Sequence, residues 1–292
     1  MKRIALKIDA DTCRGTLAGV PALVDLLQKH EAQASFFFSL GPDRSGRESL
    51  STSLGRYYDL RTRLYGRMLP GPDIGRRGLA TMRQVSDAGH EVGIHAWDRV
   101  SWEQQIEQAA NPWVEAEMNK AFTRFSEIFG EPAKAHGAAG WRMNRHALRL
   151  TQRLGFSYAS DCRGIHPFIP VIDGEIVVCP QIPTTLPTLD EIQVFKPGSS
   201  PDQAADRILQ LTAEDPGDHV FTLRAELEGM QFISVIERLI SGWKDDGYQL
   251  VALRDIRSTL DVSQLPHHIV CFAETPGRIG LRMMQGQVFL QN

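Results

Sequence analysis

The sequence predicts a mainly parallel α/β barrel with distorted closure, and three observations carry that prediction. Short apolar runs alternate with amphipathic stretches of helical period along most of the chain. About seven or eight such strand–helix units can be counted, close to the number that closes a barrel. The length of 292 residues suits this architecture, which commonly reaches about 250 residues as one unit.

The elements follow in order. Residues 4–8 read as a strand and 17–29 as a helix, with Pro21 early in it. The run Ser35-Phe36-Phe37-Phe38-Ser39 reads as a strand buried on both faces. A helix over 79–88 stops at Gly89, a strand covers 91–95, and a helix over 112–129 ends at Gly130. A strand candidate at 133–139 precedes a helix at 144–154, ended by Gly155. Strands are then expected at 156–160, 175–178, 219–223 and 249–253, with helices at 201–212 and 232–243. The barrel is assigned to 1–265 and a C-terminal extension, read as an appended strand pair, to 266–292. The stretch 41–78 is long for a connection. Its part 43–77 carries eight arginines against four acids, interleaved with Tyr57, Tyr58, Leu60, Leu64, Tyr65, Met68 and Leu69. It is either a solvated basic insertion or an interfacial segment that meets anionic lipid head groups.

Composition narrows the function classes. A hydrophobic fraction of 42% and a charged fraction of 23% are those of a globular protein. A formal net charge of -3 argues against nucleic acid as partner. Cys13, Cys162, Cys179 and Cys271 show no metal-binding or redox spacing and read as free thiols of a reducing compartment. No apolar run has signal-peptide or transmembrane length, so a cytoplasmic protein is expected.

Polar residues gather at the predicted strand ends, where barrel enzymes place their chemistry. Asp9 and Asp11 close the first strand; each could be catalytic or could cap a turn or helix. His95 closes the 91–95 strand and, with Asp11, would make an imidazole–carboxylate metal pair. Arg142 follows a strand and could hold the carboxylate of Asp161 ionised. Arg224 and Glu226 lie at another strand end.

The blocks Ile8-Asp9-Ala10-Asp11-Thr12-Cys13-Arg14-Gly15-Thr16, His95-Ala96-Trp97-Asp98, Ala138-Ala139-Gly140-Trp141-Arg142, Ser160-Asp161-Cys162-Arg163-Gly164 and Pro180-Gln181-Ile182-Pro183-Thr184-Thr185-Leu186-Pro187-Thr188 resemble the polysaccharide deacetylase (NodB-homology) superfamily. Within it they are most similar to members that deformylate 4-formamido-4-deoxy-L-arabinose on undecaprenyl phosphate. The resemblance runs from the first residue to about Gly229. It implies a distorted (β/α) barrel and a divalent metal, zinc, manganese or cobalt. It implies amide hydrolysis in lipid A modification and polymyxin resistance, at the cytoplasmic face of the bacterial inner membrane, which the 43–77 insertion would touch. By motif, Asp9 matches the base, Asp11 and His95 match metal ligands, and Arg142 with Asp161 match the pair that tunes the base. Arg14, Trp97, Arg99, Trp141 and Glu226 are expected substrate or membrane contacts. Metal-assisted attack by water would follow, with Asp9 taking the proton.

Two positions depart from that pattern. Arg99 stands where the second metal-binding histidine belongs, and Arg224 where the general acid belongs. Arginine stays protonated and has no lone pair, so it replaces neither. Three explanations stay open. Asp98 supplies an oxygen ligand; the chain binds the lipid-linked sugar without turning it over, its metal weakened or absent; or the arginines silence a deformylase.

Overall fold

The computed structural model describes residues 2–48, 55–195, 200–275, 278 and 280–290. A parallel sheet forms its centre. β1 (Arg3–Ala10) lies between β2 (Ser35–Ser39) and β8 (His219–Arg224). β3 (Glu91–Ala96), β4 (Ala135–His136) and β5 (Tyr158–Ala159) extend the sheet beyond β2, and β9 (Gln249–Val251) pairs with the start of β1.

Alternation along β1 sorts its side chains. Ile4, Leu6 and Ile8 join the core between sheet and helices. Ala5 packs inside the barrel with Phe37, Ala135, Tyr158, Ile182 and Val220, and Lys7 and Asp9 share its side of the strand. The triple phenylalanine of β2 divides in the same way: Phe36 and Phe38 point to the helices and Phe37 to the interior. That explains why its run is apolar without alternation.

The barrel is a half-barrel, since β5 and β8 do not pair as regular strands. An extended segment bridges the gap through isolated contacts. Ile182 N–H donates to the Ala159 carbonyl at 2.8 Å, and Thr185 N–H to the Val220 carbonyl at 3.1 Å. This is the distorted closure expected from the sequence. Helices over Leu79–Asp87, Asn111–Phe129 and Arg145–Arg153 end before glycines of positive φ, as read from their glycine stops.

Two expectations change. The strand expected over 175–178 is part of a second sheet: β6 (Ile169–Ile172) and β7 (Glu175–Ile176) form an antiparallel hairpin. Its turn is Asp173-Gly174, both at positive φ, the geometry of a tight hairpin. The helix expected from residue 17 begins as a wide π turn, Gly15–Gly19, before Val20–Lys29. The tail forms β10 (His267–Glu274) and β11 (Leu281–Val288), and β10 adds in parallel to β6, so the C-terminal segment shares a sheet with the barrel chain. Among the described residues no helix is long and apolar enough to cross a membrane, and all four cysteines are free thiols.

Candidate active site

Three strands bring the site together. Asp9 lies in register with Phe37 of β2 and Arg224 of β8. Between β2 and β3 the register slips so that Phe38 faces Ile94 and Ser39 faces Ala96. The extra residue is His95, and a bulge of this kind re-aims a side chain. His95 Nδ1–H donates to the Gly137 carbonyl at 2.7 Å, and its Nε2 lies 2.9 Å from Asp11 Oδ1. Both ring nitrogens face acceptors, which calls for the imidazolium. Burial works against that charge, but Asp9 and Asp11 outweigh it and push the His95 pKa up. For Asp11, burial again opposes the charge, while Arg99, His95 and Arg224 hold its carboxyl well below the usual range.

Lys7 and Asp9 form the second part. Lys7 is wholly buried, donates to the Ser160 carbonyl at 3.0 Å and lies 3.6 Å from Asp9 Oδ1. His95 Nδ1 is also 3.6 Å from that oxygen, which accepts no hydrogen bond. Asp9 therefore lies between the Lys7 ammonium and the His95 ring with one acceptor oxygen to spare.

Arg99 fills the third corner. Its Nη2 meets Glu48 Oε2 at 2.6 Å and Tyr58 Oη at 3.0 Å, its Nη1 meets Glu103 at 3.0 Å, and its Nε lies 3.8 Å from Asp11. Tyr58 Oη donates to Glu48 at 2.6 Å. Burial costs this guanidinium, but Glu48, Tyr58, Asp11 and Glu103 keep it firmly protonated. Glu48 and Tyr58 come from the insertion, whose residues 49–54 lie outside the described residues. Arg224 is also buried and ion-pairs with Asp190 at 2.7 Å.

The metal implied by the resemblance does not fit this donor set. Among the described residues no three His, Cys, Asp or Glu side chains converge to hold an ion. His95 is turned to Asp11 as an ion-pair partner, and the position of a third ligand is taken by a guanidinium. A dication at about 5 Å from Arg99 would be repelled by roughly 6–7 kcal/mol at an effective dielectric near 20.

Several predicted residues do other work. Asp98, expected as an oxygen ligand, is engaged elsewhere: Oδ1 accepts from the Ser101 amide at 3.1 Å, capping the helix Arg99–Gln105, while Oδ2 accepts from Ser101 Oγ at 2.6 Å and pairs with Arg44 at 2.9 Å. The expected Arg142–Asp161 pair gives way to other partners. Asp161 accepts from His136 Nδ1 at 2.7 Å and the Ala138 amide at 2.8 Å. Arg142 instead reaches the Glu103 carbonyl and, at 3.6 Å, Glu107. Positive φ at Gly140 and Trp141 turns the chain just before it. Glu226 braces the loop after β1, accepting from the Asp11 and Thr12 amides and from Thr12 Oγ1. Burial, and then the charge of Asp11, raise its pKa to about 8. Gly15 leaves the room it needs: a Cβ there would lie 1.8 Å from its Oε1. Trp141 is buried, with Arg163 and Arg278 over its ring at 5.0 and 5.2 Å. Half-buried Trp97 lies against Arg124 at 5.2 Å. Arg14 reaches toward Asp59 of the insertion at 4.0 Å.

Sequence reasoning missed Glu48, Tyr58, Glu103, Asp190 and His136. The partners of Glu48, Tyr58, Asp190 and His136 lie far along the chain, whereas Glu103 pairs with Arg99 one helical turn away, a spacing that offered a local signal.

The profile of the polysaccharide deacetylase family matches residues 1–159. The chain is 34% identical over 290 residues to the "Probable 4-deoxy-4-formamido-L-arabinose-phosphoundecaprenol deformylase ArnD" of Shewanella sediminis, covering 95% of this chain and 93% of that one. The chain belongs to the polysaccharide deacetylase family. A relative of the same description from Wigglesworthia glossinidia brevipalpis is 29% identical, over 91% of this chain and 96% of its own length. The fold resembles that of a polysaccharide deacetylase crystal structure from Mycobacterium smegmatis, with a TM-score of 0.67, 17% identity and coverage of 93% and 94%. Membership in this family makes the chain an amide hydrolase of the deacetylase and deformylase type. Polysaccharide deacetylases are generally metal-dependent, which sets Arg99 and Arg224 apart from the expected pattern.

Proposed function

We propose that this chain acts on 4-formamido-4-deoxy-L-arabinose carried on undecaprenyl phosphate and hydrolyses its N-formyl amide to formate and the free amine, a step of lipid A modification. The observation that carries this reading is the match to deformylases along nearly the whole chain, with Asp9, Asp11 and His95 gathered at the strand ends. Asp9 would take the proton of the attacking water, with Lys7 beside it at 3.6 Å. Arg99 Nε donates no hydrogen bond and can face a developing oxyanion as a fixed cation; Arg224 is tied to Asp190 at 2.7 Å. Exposed Leu60, Met68 and Leu69 stand beside the exposed Arg61, Arg63 and Arg67, which supports contact between the insertion and the cytoplasmic face of the inner membrane.

A second reading, binding with little or no turnover, is favoured by one observation: neither arginine can ligate a metal or hand a proton to a leaving amine. Formate release from the lipid-linked sugar, measured with chelator and with added zinc, manganese or cobalt, separates the two. Release that Asp9→Asn abolishes establishes the hydrolase. Saturable binding without release, converted to release by Arg99→His with Arg224→His, establishes the second. Neither binding nor release overturns both.

A further inference from the structure

We infer that the centre of this chain is metal-free by construction: Arg99 serves as an internal cation in place of a divalent ion, and the same side chain latches Glu48 and Tyr58 of the insertion beside Asp11. The inference rests on the family assignment only for the place where a metal is expected. Its content comes from the geometry around Arg99.

Three features support the internal cation. Arg99 is anchored at the first turn of the helix Arg99–Gln105, whose cap Asp98 is fixed by Ser101 and Arg44, so the arginine is delivered to one place. Its three nitrogens are spread over Glu48, Glu103 and Asp11. Asp11, which would otherwise need a metal to stabilise its buried charge, meets His95 at 2.9 Å and the guanidinium at 3.8 Å. Buried carboxylates are held when paired, and here the counter-charges come from His95 and Arg99, although Asp11 Oδ1 and Arg99 Nε make no hydrogen bond of their own.

The latch follows from the same contacts. Glu48 and Tyr58 lie 51 and 41 residues before Arg99 and meet it at 2.6 and 3.0 Å. They also bond to each other, which closes a three-membered ring of hydrogen bonds. A histidine at position 99 would be too short and too weakly donating to hold both. One substitution therefore exchanges two properties at once: it removes the tie to the insertion and creates a ligand beside Asp11 and His95.

The test uses the full chain, Co²⁺ and no substrate, so it stands whether or not the deformylase reading holds. Wild type is dialysed against chelator and titrated with Co²⁺, and hydrogen exchange is followed over residues 55–65. Wild type should show no saturable cobalt site that depends on His95. Arg99→His should acquire one, with about one cobalt per chain, lost again in Arg99→His with His95→Ala. Cobalt bound equally by wild type and His95→Ala lies elsewhere and agrees with the proposal. A wild-type site abolished by His95→Ala overturns it. Glu48→Gln, which keeps Arg99, should speed exchange at 55–65 without creating a cobalt site; unchanged exchange overturns the latch. Should Arg99→His fail to fold, the wild-type titration and the Glu48→Gln exchange decide both parts.

Discussion

Lys7 and Asp9 give the sharpest prediction. They sit two residues apart on the same side of β1, and Lys7 has no exposed surface. Its ammonium lies 3.6 Å from Asp9, 3.0 Å from the Ser160 carbonyl, and 5.4 and 5.6 Å from the rings of Phe37 and Trp141. Two unit charges at that separation attract by roughly 4–5 kcal/mol at an effective dielectric near 20. Lys7→Met keeps the side-chain length and removes the charge, leaving Asp9 with His95 alone. Relief of lysine desolvation offsets part of the loss, so a net destabilisation of about 2–4 kcal/mol is expected. At this chain length that lowers Tm by roughly 3–7 °C. The assay is urea unfolding of wild type, Lys7→Met, Asp9→Asn and the double variant, with the m-value confirming a common unfolded state. The double variant should recover at least about 1.5 kcal/mol relative to additivity. Additive effects, or a Lys7→Met protein within about 0.5 kcal/mol of wild type, would refute the pairing.

Other perturbations test other parts of the fold. Burial raises Glu226 to about 8 and Glu228 to about 7, so the folded chain holds more protons than the unfolded one from about pH 4.5 upward. Stability should fall as pH rises from 5 to 8 and level off above, with Glu226→Gln flattening part of the slope; a Tm that rises across this window contradicts the assignment. Raised His95 acts in the same direction, losing its contribution as pH climbs through its folded pKa, whereas Asp11 loses its contribution only in acid. Gly93→Ala would place a Cβ 2.6 Å from the Phe37 ring and 2.9 Å from the Ala135 carbonyl, and should cost about 1–3 kcal/mol in thermal unfolding. Replacing exposed Arg61 and Arg67 by glutamine should weaken sedimentation with anionic vesicles by roughly 10–30-fold, at about 1 kcal/mol per arginine. Equal binding of both proteins would place any membrane contact elsewhere.

Much of the fold is legible because its signals are local. The phenylalanines of β2, the alternation along β1 and the glycine stops of three helices each depend on residues within a few positions of one another. The hairpin of β6 and β7 was harder to read. Asp173-Gly174 marks its turn, yet its two strands are as short as loop segments. The insertion shows its charge in the sequence but not its attachment, since Glu48 and Tyr58 carry no spacing that points to residue 99.

The sequence by itself determined the family, the α/β architecture and the three strand-end residues Asp9, Asp11 and His95, because block similarity and strand alternation are written residue by residue. It also determined that Arg99 and Arg224 cannot act as imidazoles, which is a property of the side chain alone. Tertiary structure decided what those residues do instead. It gave Asp98 to a helix cap, Asp161 to His136, Arg224 to Asp190, and Arg99 to Glu48, Tyr58 and Glu103. The reason is physical: a buried charge must find a counter-charge within a few ångströms, and apart from the helix-local contacts of Asp98 with Ser101 and Arg99 with Glu103, which one it finds depends on the packing of segments distant in the chain.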